Sequence, residues 1–171
     1  MINHKPLCRA LLALLLVALS SLSGAAERLS VRFEGIADGD TIYVRSADGR
    51  VSYRVRLAAI DAPEKKQAYG AQAKGALTQL LRGADRLDLD VHDTDRYGRL
   101  IAVIHDGRGR NVNLALVAQG AAWVYHQYAR QPSYRQLYPA LVNAERTAKV
   151  QRLGLWRDDN PVEPWRFRRS K

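Results

Sequence analysis

Residues 38–64 read DGDTIYVRSADGRVSYRVRLAAIDAPE: two alternating stretches bracketed by acidic knots, Asp38-Gly39-Asp40-Thr41 before them and Asp61-Ala62-Pro63-Glu64 after. Ile42 and Val44 repeat with the period of a strand, as do Val51, Tyr53, Val55 and Leu57, which are expected inward with Ser52, Arg54 and Arg56 on the opposite face. Asp48-Gly49 is a tight-turn signal between them. A two-residue turn there makes paired positions sum to 97, so Asp40 comes opposite Leu57 and Thr41 opposite Arg56. If Ala58-Ala59-Ile60 bend the chain back, Asp61 returns toward Asp40. Carboxylates about 4 Å apart repel by roughly 4 kcal/mol at an effective dielectric near 20, and a bound cation reverses that cost. With only oxygen ligands on offer, a hard divalent ion suits the place. Taken singly, each knot is also an ordinary turn built from Asp, Gly and Pro. An EF-hand does not fit, because strand residues follow Thr41 and no acid stands at the twelfth loop position.

The same alternation extends outward. Leu29, Val31 and Phe33 mark a strand before the first knot, Leu87, Leu89 and Val91 a fourth strand, and Arg99 to His105 a fifth. Between the third and fourth, Tyr69 to Arg82 changes period: Ala73, Leu77, Leu80 and Leu81 fall on one helical face, with Gly83 as terminator. Asn111 to Gln119 is apolar nearly all round and reads as a short buried helix closed by Gly120. Ser133 and Gln136 offer a capping box for a last helix to about Gln151, which Pro139 would kink or delay. Five short strands with a helix after the third predict an α+β fold, an OB-fold five-stranded barrel with about three helices.

The chain has 171 residues and formal net charge +10. Lys5 and Arg9, the apolar run Ala10 to Leu19, and Ser23-Gly24-Ala25-Ala26 have the order of an export signal, expected at residues 1–26. The run is too short for a membrane span of roughly 20 apolar residues. Without that segment the charge is still +8, so the basic excess belongs to the folded part and points to a polyanionic partner. Cys8, the only cysteine, lies in the signal, which excludes disulfides, thiol nucleophiles and cysteine metal sites from the remainder. His92, His105 and His126 have no metal-ligand spacing. No stretch is amphipathic with an all-basic polar face, which argues against a membrane-surface protein. Residues 157–171 end in Arg166, Arg168, Arg169 and Lys171 and read as a partly ordered basic tail, with Trp165 and Phe167 either docked on the domain or free to stack on bases.

A third polar element, Asp95-Arg96-Tyr97-Gly98-Arg99, places Arg99 at the start of the fifth strand. Two arginine forks beside a cation would clamp a phosphodiester, and Glu64 could orient or deprotonate a water. At this point the sequence resembles the staphylococcal nuclease (thermonuclease) family. DGDT, RVRLAAIDAPE, AYGAQA, DRYGR, VNLALVAQG and GLW occur in the family's order over residues 27–156. The resemblance implies a calcium-dependent endonuclease that hydrolyses DNA and RNA to 3′-phosphate and 5′-hydroxyl ends. Residue by residue, it makes Asp40 and Asp61 the calcium carboxylates and Ala62 a ligand through its carbonyl where the family has threonine. Arg56 and Arg99 become the phosphate clamps, Glu64 the general base, and Tyr97 a neighbour of the bound phosphate. The loop after Glu64 is shorter than its family counterpart. Tyr125, His126 and Tyr128 stand where a stacking aromatic is expected, and Tyr128 is taken as the nucleotide contact. The expected protein is exported, periplasmic or secreted, monomeric, and free of the membrane after signal cleavage. A noncatalytic OB-fold nucleic-acid binder is the alternative, though such a binder has no need of Asp40, Arg56, Asp61, Glu64 and Arg99 together.

Overall fold

The structure is a computed structural model that describes residues 27–170; the expected export signal at 1–26 lies outside the described residues. The strands are β1 (Glu27–Ile36), β2 (Thr41–Ser46), β3 (Ser52–Leu57), β4 (Ile60–Asp61), β5 (Arg86–Thr94), β6 (Leu100–Asp106) and β7 (Trp123–Val124). The helices are α1 (Gly70–Leu80), α2 (Val112–Ala118), α3 (His126–Ala129), α4 (Tyr138–Val150) and α5 (Pro164–Arg169). Among the described residues no helix is long and apolar enough to cross a membrane.

Five strands close a barrel in the order β1-β2-β3-β6-β5, with β1 and β5 paired antiparallel and β3 and β6 parallel. Closure leaves no unpaired edge. This is the expected α+β barrel of OB type. The β2–β3 register is Thr41↔Arg56, Ile42↔Val55, Val44↔Tyr53 and Arg45↔Ser52, as the pairing sum requires. The turn itself is longer than predicted. Ser46 N–H donates to Val51 O at 2.8 Å, so four residues make the loop, and Val51 is exposed at its end rather than inward. Lengthening the loop by one residue on each side keeps the sum and therefore the faces of both strands.

Ile42, Val44, Val55, Leu57, Leu89 and Ile104 fill the barrel, and Leu77, Leu81, Leu116 and Leu141 from the helices cover it. In α1 the buried face is the predicted one, Ala73, Leu77 and Leu80, with Leu81 just beyond the helix. The Asn111 side chain caps α2 by accepting from Leu114 N–H at 2.9 Å. The Ser133–Gln136 capping box does not form: residues 132–134 make a 3-10 turn, and α4 begins without a side-chain cap and with Pro139 in its first turn. Proline is favoured there because its missing N–H has no helical acceptor to lose. It therefore sets the start of the helix instead of kinking it. The two-residue pair β4–β7, the short α3 and α5 were not anticipated; each is too brief to show a period.

Asn113 joins three elements. Fully buried on α2, it accepts from Ile104 N–H of β6 (3.0 Å) and donates to Ala58 O (2.9 Å) and Ala102 O (3.2 Å). Ala58 lies in the bend that returns the chain from β3 to β4, so a polar core residue holds that bend in place. Asn113→Ala withdraws a buried donor and acceptor together, at about 1–3 kcal/mol for each group left unsatisfied. Urea unfolding is expected to show a loss of about 2–4 kcal/mol; a loss below half a kcal/mol would mean that the bend does not depend on this side chain.

Candidate active site

The two acidic knots meet. Asp40, just before β2, accepts Leu57 N–H on its backbone oxygen (2.8 Å), and its Oδ2 accepts Ala62 N–H from the other knot (2.9 Å). Thr41 Oγ1 donates to Asp40 Oδ1 at 3.1 Å. Gly39 permits this approach, because a Cβ there would stand 2.7 Å from Ala62 Cβ and 3.0 Å from Ala73 Cβ. Asp61 arrives through Ala59, whose φ of 64° turns β3 back into β4. A left-handed conformation costs an alanine roughly 1–2 kcal/mol. The return is locked in part by Tyr125 N–H donating to Ala59 O at 2.9 Å.

Arg56 lies between the carboxylates. Its Nη2 is 2.8 Å from Asp61 Oδ1 and 3.5 Å from Asp40 Oδ2, and its Nη1 donates to Leu57 O and Ile60 O, both at 3.0 Å. Burial works to lower the Arg56 pKa, but Asp40 and Asp61 carry it above its ordinary value. Burial pushes the Asp61 carboxyl up to about 6; Arg168 opposes this by hydrogen bonding, Asp40 adds to it and Arg56 opposes it. Asp38 is also raised, by burial and then by Asp40. Negative charge is thus held here against its desolvation cost.

Glu64 follows Pro63 in a loop closed by Gln67, which donates N–H to Glu64 O (2.8 Å) and accepts Glu64 N–H on its side chain (3.0 Å). Gly70 packs so tightly on this loop that a Cβ would fall 2.0 Å from Glu64 O. Arg99 enters from the head of β6 and gives its Nε–H to Asp95 Oδ2 at 2.8 Å. Burial works to raise the Asp95 pKa, yet hydrogen bonds from Arg99 and Tyr97 hold it below the usual carboxylate range. Tyr97, largely exposed, lies under the guanidiniums of Arg96 and Arg99, 4.8 and 5.6 Å from its centroid.

All eight residues picked out in the sequence, Asp40, Arg56, Asp61, Ala62, Glu64, Tyr97, Arg99 and Tyr128, line one cleft of about 840 Å³. Tyr125, offered with Tyr128 and His126 as the stacking aromatic, lines it too, with Tyr128 edge-on at 4.7 Å and Trp165 of α5 stacked parallel at 5.1 Å. His126 turns away to the Tyr138 hydroxyl (3.0 Å). His92 lines the cleft edge-on to Tyr134 (4.7 Å), with a pKa lowered by burial. The addition with the most contacts to the carboxylates is Arg168. Its Nη2 donates to Asp61 Oδ2 (2.7 Å), and its Nη1 to Asp61 Oδ1 (3.2 Å) and Glu64 Oε1 (2.6 Å). Charge in the last residues was visible in the sequence, but no motif signalled where it would land. Among the described residues no group of three or more His, Cys, Asp or Glu side chains is placed to hold a metal by itself.

The raised Asp61 pKa has a thermodynamic consequence. A group that binds its proton more tightly when folded stabilises the fold fully below its unfolded pKa, near 3.9, and that stability is lost as pH rises through about 6. In chelator, the thermal midpoint of the wild type relative to Asp61→Asn should therefore fall between about pH 4 and pH 6, by an amount equivalent to about 2–3 kcal/mol. A difference that stays flat across that range would mean that Asp61 binds its proton equally in the folded and unfolded chain, with no raised pKa.

Comparison with known proteins identifies the family. The family described as "Staphylococcal nuclease homologue" matches residues 54–158, more than half of the chain. An "Uncharacterized endonuclease" of Haemophilus influenzae is 40% identical over 171 residues, covering 100% of this chain and 89% of that one. An "Uncharacterized endonuclease" of Escherichia coli O157:H7 is 42% identical over 136 residues, 80% of this chain and 82% of the other. A "Micrococcal nuclease" of Shigella flexneri is 40% identical over 143 residues, 79% and 78% of the two chains. Barrel, cleft and family match lead to the same place: this chain belongs to the staphylococcal nuclease family.

Proposed function

We propose that the protein is an exported, calcium-dependent endonuclease that hydrolyses DNA and RNA by direct attack of water and leaves 3′-phosphate and 5′-hydroxyl ends. The observation that carries this reading is the convergence of Asp40, Asp61 and Glu64 with Arg56 and Arg99 in one cleft. The names of the relatives, endonuclease and micrococcal nuclease, support the reaction class.

The donor chemistry suits a hard divalent ion, since Asp40, Asp61 and the Ala62 carbonyl are all oxygen ligands. Asp61 and Glu64 already direct oxygens at one cationic group, the Arg168 guanidinium. Bound calcium would supply positive charge to the phosphate oxygens. Arg56, held by two backbone carbonyls, presents a fixed guanidinium beside that charge, and Arg99 is oriented by Asp95 on the facing turn. Donors fixed in place beforehand favour the transition state, where charge on the phosphate oxygens is greatest. Glu64 takes a proton from the attacking water as the new P–O bond forms, and the departing 5′ oxygen is protonated from solvent. Tyr97 and Tyr128 flank the phosphate and the nucleotide. The segment at 1–26 directs the chain to the periplasm or the medium, where it acts as a monomer.

The test is to incubate the chain from residue 27 with end-labelled DNA and RNA, in calcium and in chelator, and to identify the new ends. Cleavage that needs calcium and leaves 5′-hydroxyls is expected. Cleavage that persists in chelator, or 5′-phosphate ends, would replace this chemistry, and binding without any cleavage would favour the noncatalytic binder.

A further inference from the structure

Helix α5 covers the chemistry of the cleft at two points. Arg168 engages both oxygens of Asp61 and one of Glu64, the atoms on which a cation and a water-activating base depend. One turn earlier, Trp165 lies flat on Tyr125, with an interplanar angle of 4°, and so occupies an aromatic face within the cleft on which a base could stack. The helix is delivered by the preceding segment, where Gln67 Nε2, from the loop that carries Glu64, donates to Val162 O at 2.6 Å and Pro164 is buried. Trp165 also meets Trp123 edge-on at 5.9 Å.

Arg56 already holds Asp61 Oδ1, and Arg168 takes the remaining Asp61 Oδ2 together with Glu64 Oε1, so an ion arriving at Asp61 meets a second guanidinium on its free oxygen, with like charges repelling at contact distance. The helix has only six residues, too few to be stable without its docking contacts. The Arg168 side chain is 41% exposed, so it sits on a solvent-facing edge from which it can leave without opening the core. We propose that α5 is an autoinhibitory plug, in which Arg168 stands in for the cation on Asp61 and ties up the base Glu64 while Trp165 covers Tyr125, and that calcium displaces the helix. The inference rests on the calcium-site reading above. It makes Arg168 a competitor of the ion rather than a third phosphate clamp. The apparent calcium affinity is then the intrinsic affinity reduced by the fraction of unplugged molecules, so a plug closed about nine-tenths of the time weakens binding about tenfold.

The experiment titrates calcium into the full chain from residue 27, for the wild type, Arg168→Ala and Arg168→Lys, by calorimetry and by tryptophan emission, with Trp165→Phe to assign the signal. Arg168→Ala is expected to bind calcium about tenfold more tightly, and Arg168→Lys to fall between, because lysine keeps the charge but loses the paired fork. Calcium should shift the wild-type emission toward exposed tryptophan. That shift should be absent in Trp165→Phe and already present in calcium-free Arg168→Ala. Equal affinity in wild type and Arg168→Ala overturns the plug and leaves the calcium site standing. Tighter binding with no movement of the Trp165 signal also overturns it, since removal of a nearby charge alone would act through space. Weaker binding in Arg168→Ala would make Arg168 a support of the ion, and binding by neither protein overturns both the site and its plug.

Discussion

Arg56→Ala is expected to lower turnover in saturating calcium by about 10² to 10³, the usual loss when one fixed electrostatic donor to a transition state is removed. It should also weaken the metal-free fold. Arg56 is the buried counter-charge of Asp40 and Asp61, and its Nη1 satisfies two backbone carbonyls. Removing one partner of a buried pair typically costs about 3–5 kcal/mol. Calcium should restore much of that stability by taking over the charge compensation, while the turnover deficit persists. Arg99→Ala gives the control. Its partner Asp95 is still held by the Tyr97 and Arg99 backbone N–H groups, so turnover should fall by a similar factor with little loss of stability. Turnover and thermal midpoint, each with calcium and with chelator, separate the two effects. Wild-type turnover in Arg56→Ala would make this arginine purely structural.

Glu64→Gln should slow hydrolysis by about 10² to 10⁴, the range attributed to a positioned general base, because an amide cannot take a proton from water. Calcium and substrate binding should persist, since Asp40, Asp61 and both clamping arginines are untouched. Glutamine also preserves an acceptor for Arg168 but not the charge, so the helix over the cleft should loosen even as the rate drops. Single-turnover kinetics with bound substrate isolates the chemical step. A rate within threefold of wild type would move the base function elsewhere in the cleft.

Much of the site is legible along the chain because the hairpin that builds it is local. Alternation and Asp48-Gly49 are enough to place Thr41 opposite Arg56, and an error of loop length that was symmetric about the turn left every partner unchanged. The return of Asp61 toward Asp40 could be expected from the three residues after Leu57, but its cause could not. It depends on a left-handed Ala59, on Gly39 giving way to Ala62, and on Asn113 reaching from a helix 55 residues beyond Ala58. Asn113 stands in an apolar run, where one polar residue looks like part of the exposed face. The aromatic wall shows a similar limit. Tyr125 and Tyr128 both reach the cleft, but α3 turns His126 away between them, and a four-residue helix carries no period to announce it.

Strands, faces and the identity of the acidic hairpin follow from pattern, because periods of two and of about 3.6 decide which side chains a local segment can bury. Which cation each carboxylate holds is another kind of question. Arg56, Arg99 and Arg168 are chemically equivalent donors at separations of 5, 38 and 107 residues from Asp61, and no local rule ranks them. The folded barrel ranks them by position: Arg56 between the acids, Arg99 on Asp95, and Arg168, from what reads as a partly ordered basic tail, on Asp61 and Glu64. Coulomb energy depends on distance in space, so that choice is made only once the chain has closed on itself.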